Sequence, residues 1–138
     1  MARRRRRDLG GTLVLDAEGV SKAASDDVRV HAFLTSARNR DARVVMSAIT
    51  LAEVLRGGPR DSKVHLVARR VSKEPVTAEI GREAGELLGK TGLAEATVDA
   101  VVGATALRQA GPVLILTSDP KDLSRLVASR ADVKVKKV

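Results

Sequence analysis

The chain has 138 residues, 43% hydrophobic and 30% charged, which suffices for one domain with its own core. It contains no cysteine, and this excludes disulfides, thiolate nucleophiles and sulfur-ligated metals. The formal charge of +8 points to a polyanionic partner, but Phe33 is the sole aromatic residue, so no base-stacking platform can be built and any nucleic acid would be held through its phosphates.

Arg3 to Arg7 open the chain and Lys134, Lys136 and Lys137 lie at its other end. Without them, 17 basic residues stand against 17 acidic ones, so the body is formally neutral. Residues 1–9 read as a basic flexible arm and residues 10–138 as the folded domain. No apolar run approaches the length of a membrane span, and no signal-peptide pattern follows the arginines. A cytoplasmic location is expected.

Thr12 to Leu15 is a short apolar run that reads as a strand ending at Asp16. Val44 to Met46 is a second, followed by "SAITLAEVLRGGP", a helix with a serine cap and a stop at Gly57, Gly58 and Pro59. Val64, Val67, Ala68 and Val71 then recur at helical spacing, leaving Lys63, Arg70 and Lys73 largely toward water. A weaker strand is expected near Pro75 and Val76. Thr77 opens a helix toward Leu88, and Thr97 or the residue before it opens another toward Ala110. Val113 to Thr117 and Val133 to Val135 complete the strands. Apolar runs that alternate with segments of helical period define an α/β fold with a parallel sheet and crossover helices. The run "VLIL" suits a strand covered on both faces.

Four acids stand alone in apolar surroundings. Asp16 is the only charge in Gly10 to Ala17, Glu53 in Ser47 to Leu55, Asp99 in Ala96 to Leu107, and Asp119 in Gly111 to Pro120. Asp16 and Asp119 end strands, Asp99 begins a helix, and Glu53 lies one to two turns into the helix after a strand. All four can converge at the carboxyl edge of a parallel sheet, where sites assemble in such folds. Converging carboxylates without basic partners repel and raise one another's pKa. A divalent cation resolves that conflict, and an all-oxygen ligand set selects Mg²⁺ or Mn²⁺. Such an ion orients water and phosphate oxygens for hydrolysis.

Each acid also has a plainer reading. Asp119 in "SDPKDL" suits a helix cap with Pro120 at the first position and Asp122 closing a capping box. Asp16 suits a cap as well, and Asp99 suits any helix amino end. Glu53 is too far into its helix to cap it. Glu95, one turn before Asp99, and Asp122 are secondary candidates. Thr117 or Ser118 would contact a phosphate or an ion's water. Arg56, Arg60, Lys63, Arg69 and Arg70 form the expected phosphate grip. "GELLGKTG" lacks the spacing and the strand-to-helix position of a phosphate loop. His31 and His65 lack ligand spacing and read as ordinary helical residues.

With these motifs in hand, the sequence resembles the PIN domain family, and specifically the VapC-type ribonucleases. The resemblance rests on "LVLDAEG", "LAEVLRGGP", "VDAVVGATAL" and "VLILTSDPKDL", in that order over about residues 10 to 138. It implies a three-layer α/β/α fold with a central, mainly parallel sheet, and metal-dependent cleavage of RNA. It also implies a homodimer and an antitoxin protein that occludes the acidic pocket. Asp16, Glu53, Asp99 and Asp119 fall on the family's acidic quartet, and Thr117 or Ser118 on the hydroxyl that accompanies the last acid. Ala17 and Glu18 depart from the small hydroxyl residues that follow the first acid in the family, and the arginine run lies outside its pattern. Two other readings stay open: a non-catalytic RNA- or partner-binding domain that keeps the PIN fold, and a receiver-like signalling domain.

Overall fold

The structure, a computed structural model, describes residues 10–138. The basic arm expected at residues 1–9 lies outside the described residues. Five parallel strands form one sheet in the order β3-β2-β1-β4-β5. They are β1 (Thr12–Leu15), β2 (Arg43–Ser47), β3 (Ser72–Glu74), β4 (Val113–Thr117) and β5 (Val133–Lys137). The helices are α1 (Ala17–Ala24), α2 (Val28–Asn39), α3 (Ala48–Val54), α4 (Ser62–Arg70), α5 (Ala78–Thr91), α6 (Thr97–Leu107) and α7 (Pro120–Leu126), with a 3₁₀ turn at Pro59–Asp61 before α4. No described helix is long and apolar enough to cross a membrane.

Alternation along the strands assigns the two faces, because successive side chains point to opposite sides of a sheet. Leu13, Leu15 and Met46 face one way and pack with Val20, Val30, Leu34, Val64 and Ala68 from α1, α2 and α4. Val14, Val45, Val113 and Ile115 face the other way and pack with Val102 and Ala106 of α6 and Leu123 of α7. Outside that layer Ile80 and Ala84 of α5 pack on Ala100, Val101 and Ala104 of α6. The layers are therefore α/β/α. The central strands are covered on both sides, as the unbroken apolar run of β4 requires.

Local signals account for most helix ends. Ser47 caps α3 by accepting from the Ile49 N–H, and Thr77 caps α5 by accepting from the Ile80 N–H. Gly92, in the left-handed region at φ 70°, closes α5 at Thr91, one turn beyond the expected end at Leu88. Helix α6 stops at Leu107 and not at Ala110.

The third strand corrects the sequence reading. Pairing with β2 falls on Ser72, Lys73 and Glu74, ahead of Pro75 and Val76. Pro75 has no N–H to give to a ladder, so pairing ends before it. Lys73, placed by helical periodicity on the wet side of a helix, is a strand residue on the edge of the sheet.

The strand order also marks the place for a site. From the central β1 the chain proceeds to β2 and β3 on one side, then crosses to β4 and β5 on the other. The crevice above the carboxyl ends of β1 and β4 is thus a topological switch point, the general location of sites in open parallel sheets.

Candidate active site

Asp16 follows the last residue of β1 and occupies the cap position of α1, yet its side chain makes no capping hydrogen bond. The cap reading therefore fails for this residue. It is only 7% exposed. Its Oδ2 accepts a hydrogen bond from the Thr117 hydroxyl at 3.0 Å across the β1–β4 junction, and its Oδ1 is buried with no hydrogen-bond partner. Gly19 makes this closeness possible: a Cβ there would lie 3.2 Å from the Leu116 carbonyl oxygen, so α1 rests directly on the end of β4.

Thr117 is the hydroxyl residue of the pair that enters the site. It is 3% exposed, donates to Asp16 and accepts from the Asp119 N–H at 3.3 Å, whereas Ser118 points to solvent-exposed surface. Asp119 is exposed and caps α7, its Oδ1 accepting from the Lys121 N–H at 3.3 Å. The expected capping box with Asp122 does not form, because the Asp119 N–H is already directed to Thr117.

The acids sense one another. Desolvation pushes the Asp99 carboxyl up from 3.8 to about 6, with Asp16, Asp122 and Asp119 adding to the rise. Glu53 is raised from its ordinary value too, by partial desolvation first and then by Asp16 and Asp99, against the opposing Arg56. Asp16, Glu53, Asp99, Asp119 and Asp122 are thereby brought to one edge of the sheet. Among the described residues no ion pair includes any of them. Glu95 is exposed and shares a shallow depression with Asp99 and Asp122. No three of the described acids and histidines are drawn together tightly enough to form a ready-made ligand cage.

The donor set suits a hard divalent cation nonetheless. It is wholly oxygen and wholly acidic, and at its centre Asp16 Oδ1 has a lone-pair shell that the protein leaves unsatisfied. Like charges at this range repel. A cation reverses the sign of that interaction.

The basic residues divide. The Arg56 guanidinium turns back on α3 and donates to the carbonyls of Ala52 and Leu55 at 3.1 and 2.7 Å. Arg60 and Arg69 are exposed. Lys63 and Arg70, with His31 and Arg38, border a largely apolar groove between α1, α2 and α4, on the flank of the sheet and away from the acids. His31 Nε2 lies 3.0 Å from the Ala23 carbonyl, an ordinary structural role.

Sequence reasoning missed two residues near the site. Asp61 is buried, and its Oδ2 accepts from the N–H groups of Arg56 and Gly57 at 2.9 and 2.7 Å. It fixes the loop that leaves α3, and those backbone hydrogen bonds hold its own pKa below the usual carboxylate value. Its position one residue after the basic Arg60 gave no sign of this. Thr50 is fully buried with an unpartnered hydroxyl, and its spacing of three residues from Glu53 was the signal available.

A parallel five-stranded sheet, three layers and an acidic carboxyl edge define the PIN class of α/β domain. The PIN domain model matches residues 13–128, and the chain belongs to that family. None of the curated proteins compared with it matches. Among solved structures it is similar to VapBC2 from Rickettsia felis bound to a DNA fragment from their promoter, at 17% identity and a TM-score of 0.70, covering 92% of this chain and 98% of that one. It is also similar to VapBC-1 from nontypeable Haemophilus influenzae, at 20% identity and a TM-score of 0.65, covering 91% and 97%. At these identities the likeness is one of fold.

Proposed function

We propose that this chain is a Mg²⁺- or Mn²⁺-dependent endoribonuclease of the VapC type, the toxin of a toxin–antitoxin pair. The observation that carries the reading is Asp16. A carboxylate buried at the switch point, with one oxygen satisfied only by Thr117 and the other by nothing, is costly unless positive charge completes it. Its neighbours Asp99 and Glu53 share the repulsion.

In this reading Asp16, Asp99 and Asp119 hold the ion and Glu53 holds or orients it. A cation held by these residues would supply Lewis-acid polarisation of a phosphodiester oxygen and of an attacking water. The Thr117 hydroxyl holds one oxygen of the Asp16 carboxylate and leaves the other, Oδ1, without a partner in the protein. The burial and the neighbouring acids that raise the Asp99 carboxyl are the cost that a bound ion would relieve. Arg60 and Arg69, both exposed, supply positive charge along the segment after α3, where a phosphate backbone is expected to run, whereas Lys63 and Arg70 border the groove away from the acids and have no part in that grip. Two similar folds come from VapBC assemblies, which supports an antitoxin partner. A homodimer belongs to the same reading.

The test uses purified protein and single-stranded RNA. Cleavage should need Mn²⁺ or Mg²⁺, stop in EDTA, and be lost in Asp16→Asn. RNA binding that persists in EDTA, with no cleavage under any metal, would favour a non-catalytic binding domain instead.

A further inference from the structure

Among the described residues, two buried side-chain atoms have no hydrogen-bond partner: Asp16 Oδ1 and Thr50 Oγ1. Thr50 is 0% exposed. Leaving a buried hydroxyl unsatisfied costs about 1–3 kcal/mol, and valine would fill the same volume without that penalty. A threonine here calls for a polar neighbour that the protein itself does not supply.

The direction of Thr50 follows from its helix. Ile49 packs into the core on the α6 and α7 face of the sheet, and Leu51 packs into the core on the opposite face. Helix α3 thus straddles the carboxyl edge. Successive residues turn by about 100°, so Thr50, between these two anchors, is directed down at the edge itself. Side chains on a helix also lean toward its amino end, here the end of β2. Strand β2 is paired with β1, Val45 opposite Val14, so that edge is the one where Asp16 emerges. Glu53, one turn later on α3, is already within electrostatic reach of Asp16.

We infer that Thr50 is a positioning residue of the acidic site: its hydroxyl and Asp16 Oδ1 together hold one water molecule, which belongs to the hydration of the bound divalent cation. The hydroxyl donates to that water or accepts from it, and the water in turn satisfies the carboxylate oxygen that Thr117 leaves free. Thr50 touches neither substrate nor the reacting atoms. This inference rests on the cation-dependent reading above and adds a residue to it.

The experiment is a calorimetric Mn²⁺ titration of the full chain without RNA, for wild type, Thr50→Ser and Thr50→Val, alongside metal-free thermal melts. Thr50→Ser should bind Mn²⁺ like wild type. Thr50→Val should melt no lower than wild type without metal yet bind Mn²⁺ about 10-fold more weakly, the usual effect of losing an outer partner of a metal site. Thr50→Ala, which also lacks the hydroxyl, should match Thr50→Val in affinity and serves if the valine variant does not fold. Thr50→Val or Thr50→Ala binding within about twofold of wild type would overturn the inference and leave the nuclease reading standing. A wild-type chain that takes up no Mn²⁺ would remove both.

Discussion

Acids on the two sides of this molecule live under opposite electrostatics. On the flank of α5, Glu79 and Glu83 receive the Arg108 guanidinium, and near β5 Asp132 pairs with Arg130 at 2.8 Å. Their partners lower the carboxyl pKa values of Glu83 and Asp132. At the carboxyl edge of the sheet, Asp99 and Glu53 are raised, by desolvation first and then by neighbouring carboxylates, Asp16 foremost in both. The residue types are the same, and the difference is whether a cation is built into the fold. Where the chain supplies one, the acid stabilises the surface modestly. Where it does not, the acids are held at a cost that a bound ion relieves, and such stored repulsion marks a site.

The sharpest way to break this contrast is to neutralise its centre. Asp16→Asn should reduce metal-dependent RNA cleavage by roughly 10²-fold or more, the scale of losing a positioned charged group at a reacting centre. The same variant should melt higher than wild type in EDTA, since one of the repelling charges is gone. A variant that cuts RNA at the wild-type rate would mean that the edge is not the reacting centre.

Cation binding should come next in size. Saturating Mn²⁺ should raise the melting temperature of wild type by several degrees, as expected when a ligand far above its Kd binds only the folded state. It should do so far less for Asp16→Asn. Equal shifts in both would place the ion elsewhere.

The pH response sharpens the comparison. Folding raises Asp99 from 3.8 to about 6. Between those values the folded chain binds more protons than the unfolded one, so the Asp99 contribution falls as pH rises through that window. Glu83 and Asp132, with lowered values, act with the opposite sign: their contribution is present above the unfolded pKa and lost as pH falls. The difference between wild type and Asp99→Asn in metal-free melts isolates the site. The variant should gain on wild type as pH rises from about 4 to about 7, and a constant difference would show that folding does not raise the Asp99 carboxyl.

Smaller effects are expected away from the edge. Replacing Arg60 and Arg69 with glutamine should weaken RNA binding and flatten its salt dependence, by about one unit of log–log slope for each phosphate no longer neutralised, without changing Mn²⁺ affinity. Glu83→Gln, on the paired side, should lower the melting temperature slightly and leave both metal and RNA binding untouched, as exposed ion pairs contribute little.

The sequence by itself determined the order of the elements and the identity of the acids. Strands β1, β2 and β4 announce themselves as apolar runs and β5 by Val133 and Val135, and Ser47 and Thr77 open their helices through local hydrogen bonding, whereas the end of α5 at Gly92 was placed short, at Leu88. The isolation of Asp16, Glu53, Asp99 and Asp119 in apolar stretches is a one-dimensional fact. Strand β3 was misplaced because "SKE" carries no apolar signal; its pairing with β2 depends on a neighbour brought from elsewhere in the chain. Only the tertiary structure decided which oxygen of Asp16 is satisfied, that Thr117 and not Ser118 satisfies it, that Arg56 turns inward, and that Thr50 is buried without a partner. Hydrogen bonding and desolvation depend on distances between residues up to 101 positions apart, and such distances exist only once the sheet has closed.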